Sequence, residues 1–151
     1  KPFGIRAMDS MRLEKSYRLI PREMSIEYSA FESGLDRFVR LDKEEDFIGK
    51  TALSQWQDTG PTNGFVTMEV LGIVDADARG SEAIYKDGEV VGRATSGGYG
   101  WRCGKSLALG LVRLELAVIG TELEIEILGE KYKAIVIEES PFDPTNECLR
   151  S

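Results

Sequence analysis

The segment Gly98–Ser106 contains the residues whose types and spacing are closest to a phosphate-binding loop. Its last three residues, Gly-Lys-Ser, reproduce the end of a P-loop. A P-loop also needs a glycine where Tyr99 stands, and a helix after the serine. A dinucleotide fingerprint fails as well, because Cys103 occupies the place of its third glycine. The pattern therefore favours a glycine-rich loop at the end of a barrel strand over a nucleotide site.

Charged side chains provide the other candidates for chemistry. Glu14 and Arg18 have the i, i+4 spacing of a surface ion pair. Lys43 lies near several acidic residues in the sequence, a pattern typical of a solvent-exposed charge. The chain has no histidine, which removes the usual general base, the Ser–His and Cys–His pairs and the commonest zinc ligand. From these patterns we predict no catalytic residue and no metal site, and any proton transfer would need a carboxylate, a tyrosine or a lysine.

Composition excludes some classes of function. Cys103 and Cys148 are neither at metal-ligand spacing nor numerous enough for a disulfide scaffold, so we predict two free thiols. The net charge of -7 opposes nucleic-acid binding, and no apolar run is long enough to span a bilayer. The chain opens on Lys1 without the apolar core of a secretory signal, and we expect that its start is cut.

The elements that must position these residues fall into two regions. Apolar residues at three- and four-residue spacing predict an amphipathic helix over Ile5–Tyr17. Capping-box spacing predicts one helical turn over Ser29–Ser33, and a strand is predicted over Leu35–Leu41. A second helix is predicted to begin at Gly49 and to end at Gly60. The apolar residues that share one face of this second helix are Ala52, Leu53 and Trp56.

Short strand-like runs separated by turns rich in Gly, Asp and Asn occupy the second region. The predicted strands are Phe65–Val74, Ala83–Tyr85, Glu89–Thr95, Leu107–Val112, Glu122–Leu128 and Lys131–Ile137. An Asp-Gly dipeptide favours a tight hairpin between the second and third, and glutamates alternate with apolar residues along the fifth. We therefore predict an α+β fold that ends in a small antiparallel β-barrel or jelly roll, with a domain boundary near residues 59–63.

Several short strings occur in an order that matches a known family. Ala7–Tyr17 contains Asp-Ser-Met-Arg-Leu-Glu, Phe31–Leu35 ends in Ser-Gly-Leu, and Asp46–Lys50 reads Asp-Phe-Ile-Gly-Lys. These strings resemble motifs of the glycine cleavage T-protein, or aminomethyltransferase, family. The string Thr95–Tyr99 with Gly-Lys-Ser-Leu after it, and the tail Phe142–Glu147, resemble the dimethylglycine and sarcosine dehydrogenase branch of that family.

The resemblance implies a fold and an activity. Residues 1–59 would be the C-terminal portion of a folate-binding α+β domain, and residues 60–151 a C-terminal β-barrel domain. The module would collect a one-carbon unit onto tetrahydrofolate, while FAD would occur only in a flavin domain of the parent protein. The chain alone is not expected to be a competent enzyme, whereas its parent is, in the cytoplasm or, in a eukaryote, in the mitochondrial matrix. No nucleic-acid or membrane partner is expected.

Three site residues follow from the same resemblance. Glu14 matches the glutamate that meets the pterin ring, Lys43 stands near a basic position that meets the folate carboxylate tail, and Tyr17 would line the aromatic part of the pocket. Expected partners are tetrahydrofolate and either the N-terminal remainder of the parent protein or a flavin-containing subunit. Two alternatives stay open, namely a non-catalytic docking or assembly module for a flavin-dependent subunit, and a folate-dependent demethylase of another methyl donor.

Overall fold

Six strands in the second half of the chain close into a barrel. The computed structural model describes residues 2–73 and 75–151. The strands are β1 (Asn63–Val70), β2 (Ala83–Lys86), β3 (Glu89–Gly100), β4 (Lys105–Arg113), β5 (Glu122–Ile127) and β6 (Glu130–Ile137). All neighbouring strands are antiparallel in the order β1-β4-β3-β2-β5-β6, and β6 pairs back onto β1. The predicted antiparallel barrel is confirmed, and its form is closed rather than a jelly roll.

The barrel interior explains why the strand pattern could be recognised in the sequence. Along β5 the side chains alternate between exposed or partly exposed glutamates and fully buried Leu and Ile residues, as a sheet with one wet face requires. The first strand ends at Val70, earlier than predicted, and Val74 at its predicted end lies outside the described residues. Strand β3 runs five residues beyond its predicted end at Thr95, because small residues there let the chain pass close to Ala78: a Cβ on Gly97 would lie 2.6 Å from its carbonyl oxygen.

The first helix, α1, is Ile5–Glu14 and is three residues shorter than predicted. Ser16 adopts a left-handed backbone (φ 52°), and its hydroxyl shares a 2.7 Å hydrogen bond with Thr67 in β1 and accepts the Ser140 N–H. These contacts with distant parts of the chain override the helical periodicity. Within the last turn of α1, the buried Leu13 packs with Leu107 and other residues on the outside of the barrel.

Between the helices the chain is largely turns. The predicted turn at Ser29–Ser33 is present, with reciprocal bonds from the Ser29 N–H to Glu32 and from the Glu32 N–H to the Ser29 hydroxyl. The predicted strand Leu35–Leu41 is wrong: Asp36–Phe38 form a 3₁₀ helix followed by irregular chain. The closed ring formed by the described strands offers no edge for this segment to extend.

The second helix, α2, is Lys50–Thr59, between Gly49 and Gly60, which both have positive φ. Its predicted bounds are confirmed, but its apolar face is not covered, since Trp56 is half exposed. A short C-terminal helix, α3, is Glu147–Arg150. No helix among residues 2–73 and 75–151 has the length and apolar composition needed to cross a membrane.

Glu32 joins the turn before the 3₁₀ helix to the start of the barrel. Its Oε1 accepts hydrogen bonds from the Thr62 hydroxyl and from the backbone and side-chain N–H groups of Asn63, and its Oε2 accepts those of Ser29. Burial raises the pKa of Glu32, but the donors from Ser29, Asn63 and Thr62 together outweigh it and hold the pKa below its usual value. The charged form is therefore the one that the folded protein stabilises.

We predict that Glu32→Gln lowers the melting temperature most near neutral pH. A carboxyl whose pKa is lower in the folded state stabilises the protein above its unfolded pKa of about 4.3, and this contribution is lost as the pH falls through the folded pKa. The melting temperatures of wild type and variant should therefore converge on acidification. Thermal scans of both proteins from pH 7 to pH 3 measure this, and a difference that stays constant with pH would contradict it.

Candidate functional site

An open pocket of about 450 Å³ lies where the end of α1 meets the β3–β4 turn and the C-terminal segment. The C-terminal segment is defined here as residues 140–149. Met8, Met11 and Phe142 give the pocket a largely apolar wall, and Glu14 is its one glutamate. The lining also includes the charged residues Arg12, Lys15, Arg102 and Asp143. A pocket that combines apolar surface with placed polar groups is typical of sites for a small organic ligand.

Glu14 is the last residue of α1 and is 2% exposed. Its Oε1 accepts the backbone N–H groups of Arg102, at 2.5 Å, and Cys103, at 3.2 Å, both from the β3–β4 turn. A Cβ at Gly100 would lie 3.2 Å from the same oxygen, so a side chain there would crowd the carboxylate. Both backbone bonds end on Oε1 and orient the carboxylate, and the Cys103 thiol lies within hydrogen-bonding reach of it.

The ion pair between Glu14 and Arg18 that their spacing favoured is not formed. Because α1 ends at Glu14, the two residues no longer share a helix face. Arg18 instead pairs with Glu139, and its guanidinium lies 3.9 Å from the centre of the Phe65 ring. The interpretation of Glu14 as a surface ion-pair partner is therefore wrong.

The structure brings two of the three predicted folate-contact residues together. Tyr17 is 51% exposed and lines the same pocket as Glu14. Lys43 is on the exposed loop before α2 and is not among the residues that line the pocket; its carbonyl accepts the Lys50 ammonium at 2.5 Å. The binding roles of Glu14, Tyr17 and Lys43 stay predictions.

Sequence reasoning missed two arginines of the pocket. Arg12 is 11% exposed and donates to Asp9 at 2.6 Å and to the Ser96 hydroxyl at 2.8 Å. Arg102 lies in the β3–β4 turn, with its guanidinium 5.4 Å from the centre of the Phe142 ring. Arg12 stands in the same family-like string as Glu14, which could have identified it, whereas only the fold brings Arg102 to the pocket.

Glu23 is a second buried carboxylate that sequence reasoning missed. It is 0% exposed and accepts hydrogen bonds from the hydroxyls of Thr95, at 2.6 Å, and Ser96, at 2.5 Å, and from the Leu19 N–H, at 2.8 Å. The Arg12 guanidinium lies 3.6 Å from Oε2, the oxygen that accepts the Leu19 N–H, whereas the two hydroxyls donate to Oε1. The hydrogen bonds of Glu23 therefore connect the chain after α1 to strand β3. Its carboxylate also lies close to the guanidinium of Arg12, which lines the pocket.

The segment that resembles a P-loop is a hairpin. Gly98 and Tyr99 belong to β3 and Lys105 begins β4, which continues as a strand to Arg113 where a P-loop needs a helix. The Lys105 ammonium pairs with Glu69 at 2.5 Å. The role of this hairpin is to place two backbone N–H groups against Glu14.

Both cysteines are free in the structure, but they differ in environment. Cys103 is partly buried next to Glu14. Burial raises the pKa of its thiol, the negative charge of Glu14 raises this pKa further, and the positive charge of Lys105 lowers it. Cys148 is exposed and lines the pocket. Because the thiolate is the reactive form, the two thiols should react at different rates.

We predict that iodoacetamide alkylates Cys148 roughly tenfold faster than Cys103 in the folded protein at pH 8, because reactivity follows exposure and thiolate content. Peptide mapping by mass spectrometry at several labelling times measures both rates. Labelling after unfolding without reductant should modify both residues fully. Equal rates in the folded protein, or a residue that resists labelling after unfolding, would contradict the assignment.

The structure is a closed β-barrel with helix α1 docked on it and a buried carboxylate beside an open pocket. Comparison with family models agrees with this architecture. Residues 64–143 match the glycine cleavage T-protein C-terminal barrel domain, and residues 1–43 match the GCVT N-terminal domain. The chain belongs to the glycine cleavage T-protein family.

Individual relatives show how this chain compares with whole proteins. It is 42% identical to human mitochondrial dimethylglycine dehydrogenase over 150 residues, covering 98% of this chain and 17% of that protein. It is 37% identical to an aminomethyltransferase of Parasynechococcus marenigrum over 141 residues, covering 93% of this chain and 38% of that one.

A solved structure, the glycine cleavage system aminomethyltransferase T from Bartonella henselae, superposes with a TM-score of 0.82 at 25% identity and covers 93% of this chain. This chain covers 39% of that structure. It therefore spans well under half the length of each of these relatives.

Proposed function

We propose that this chain is the C-terminal part of a tetrahydrofolate-dependent protein of the dimethylglycine or sarcosine dehydrogenase type. Its share of the activity would be to hold tetrahydrofolate while the folate accepts a one-carbon unit. The observation that carries the proposal is the buried Glu14 carboxylate in the lining of the largely apolar pocket. The relatives named as dimethylglycine dehydrogenase and aminomethyltransferase support the same class of reaction.

The chemistry of the pocket suits a pterin. The ring N–H and the 2-amino group of a pterin are adjacent donors, and a carboxylate with a free oxygen accepts such donors well. Met8, Met11 and Phe142 offer apolar surface for a flat ring, and Tyr17 offers an aromatic one. The backbone bonds from the β3–β4 turn hold Glu14 in place before the ligand arrives, which lowers the entropic cost of binding.

The remaining parts of the reaction would belong to the rest of the protein. Bound tetrahydrofolate supplies the nucleophilic nitrogens that accept the one-carbon unit. The residues of this chain bind and orient the pterin and exclude water from the apolar wall. An FAD that oxidises the methyl donor would be held by a flavin domain outside this chain, either in the same polypeptide or in a partner subunit, in the cytoplasm or the mitochondrial matrix.

A second candidate function is docking or assembly without folate binding. Several large apolar side chains in residues 1–59 are exposed, as at a surface that packs on another domain or subunit. They include Ile26, Phe38, Ile48 and Trp56. This function would need no ligand in the Glu14 pocket.

Titration of tetrahydrofolate into the protein that carries this chain tests the proposal. Under the proposal, saturable binding should occur and Glu14→Gln should weaken it. Under the docking function no binding is expected. The activity on other methyl donors, which would indicate a demethylase of different specificity, is measured with the same protein.

A further inference from the structure

One lysine side chain makes several bonds between the end of α1 and the C-terminal segment. The Lys15 ammonium donates to the carbonyl oxygens of Phe142, at 3.2 Å, and Asp143, at 2.6 Å, and to the side-chain oxygen of Asn146, at 2.7 Å. A lysine ammonium has three donors, so all of them are used. Charge-assisted bonds of this kind are stronger than neutral ones.

The same segment forms one wall of the Glu14 pocket. The residues of the segment that line the pocket, across from those of α1, are Phe142, Asp143, Asn146, Cys148 and Leu149. Lys15 follows Glu14 directly in the chain, so the carboxylate and the ammonium that holds the opposite wall come from neighbouring residues. The segment that forms this wall is therefore bonded directly to the residue that follows Glu14.

The backbone of the segment needs such support. Ser140, Asp143 and Asn146 all have positive φ, between 49° and 59°, a conformation that residues other than glycine adopt at a cost. Three neutral bonds also anchor the start of the segment. The Ser140 hydroxyl donates to the Lys15 carbonyl, the Ser140 N–H to the Ser16 hydroxyl and the Phe142 N–H to the Glu14 carbonyl. These bonds do not use the ammonium, so the segment should stay attached at residues 140–142 when only the Lys15 charge is removed.

We propose that Lys15 is a positioning residue for ligand binding: it lines the pocket, its ammonium is fully used in bonds to the C-terminal segment, and it sets where Asp143 and Asn146 stand relative to Glu14. This inference rests on the proposed function, because the ligand whose affinity reports it is tetrahydrofolate. It assigns to Lys15 a role that neither the resemblance nor the comparisons give it.

Calorimetric titration of tetrahydrofolate into the full-length protein that carries this chain is the test. Lys15→Met keeps the length of the stem and removes the donors, and the dissociation constant should rise about tenfold, which corresponds to about 1.4 kcal/mol. Lys15→Arg, which keeps a charged donor, should recover most of the affinity. Lys86→Met is the matched control, since the Lys86 ammonium also donates to a backbone carbonyl, that of Glu122, and does not line the Glu14 pocket.

Hydrogen exchange separates positioning from general destabilisation. In Lys15→Met the amides of Asp143 and of residues 145–149 should exchange faster, while those of Phe142, β3 and β4 keep their wild-type rates. If Lys15→Met does not fold, Lys15→Gln replaces it, with a loss of affinity supporting the role and wild-type affinity overturning it.

Three outcomes overturn the proposal. Wild-type affinity in Lys15→Met overturns the role of Lys15 alone, provided that Glu14→Gln still weakens binding. Faster exchange throughout the barrel shows that the loss of affinity is a loss of fold. Absence of tetrahydrofolate binding in the unsubstituted protein overturns the proposed function together with the role of Lys15, whereas no effect of Glu14→Gln overturns the roles of Glu14 and Lys15.

Discussion

Replacing Glu14 by glutamine should raise the dissociation constant for tetrahydrofolate roughly tenfold to a hundredfold in the protein that carries this chain. Loss of a buried hydrogen bond to a charged group costs on the order of 1.5 to 3 kcal/mol. Glutamine has the same shape, but its amide nitrogen is a donor that would face the donors of the pterin or of the β3–β4 turn. Calorimetric titration of wild type and variant measures the change.

Two further variants control this experiment. Glu122→Gln makes the same chemical change on an exposed residue of β5, and we expect wild-type affinity from it. Lys43→Ala should cost less than Glu14→Gln, because a charge near solvent is screened. If Glu14→Gln binds tetrahydrofolate as tightly as wild type while the fold is intact, the folate role of Glu14 is wrong.

Replacing Glu23 by alanine should lower the opening free energy of strands β3 and β4 by about 3 to 5 kcal/mol. This is the usual cost of removing one partner from a buried charged network. The hydroxyls of Thr95 and Ser96 and the Leu19 N–H would lose their acceptor. The Arg12 guanidinium would lose a nearby negative charge in a position that is 11% exposed.

Native-state hydrogen exchange of the β3 and β4 amides measures the opening free energy of this region directly. Glu89→Ala is the control, because Glu89 makes an exposed ion pair with Arg113 that is worth about 0 to 1 kcal/mol. An effect of Glu23→Ala no larger than that of Glu89→Ala would mean that Glu23 does not hold the chain after α1 to the barrel.

Local sequence patterns predicted correctly those segments whose backbone groups find their partners nearby in the chain. The bounds of α2 follow from Gly49 and Gly60, which can take the positive φ that the helix ends require. The capping box at Ser29 and Glu32 uses residues three apart, and it forms as predicted. In both cases the partners are close in the sequence, so the spacing carries the information.

The same reasoning failed where an apolar run met no partner strand. Leu35–Leu41 has the composition of a strand, yet a strand needs the edge of a sheet, and the described barrel strands already pair in a closed ring. The exposed Phe38 in this segment shows that its apolar residues are not used to pack the barrel. Composition alone does not reveal whether an edge exists.

The sequence by itself determined the barrel strands and the two main helices, because two-residue and three-to-four-residue periods are typical of these elements, and the order of its short motifs indicated the family. Only the tertiary structure decided the surroundings of Glu14, Glu23 and Lys15. Glu14 meets the Arg102 N–H across 88 residues of chain, Glu23 meets Thr95 across 72, and Lys15 meets Asp143 across 128. Contacts between residues so far apart in the sequence form only when the strands pair into the closed barrel. For this reason the spacing of Glu14 and Arg18 suggested a surface ion pair, whereas Glu14 is buried in a pocket.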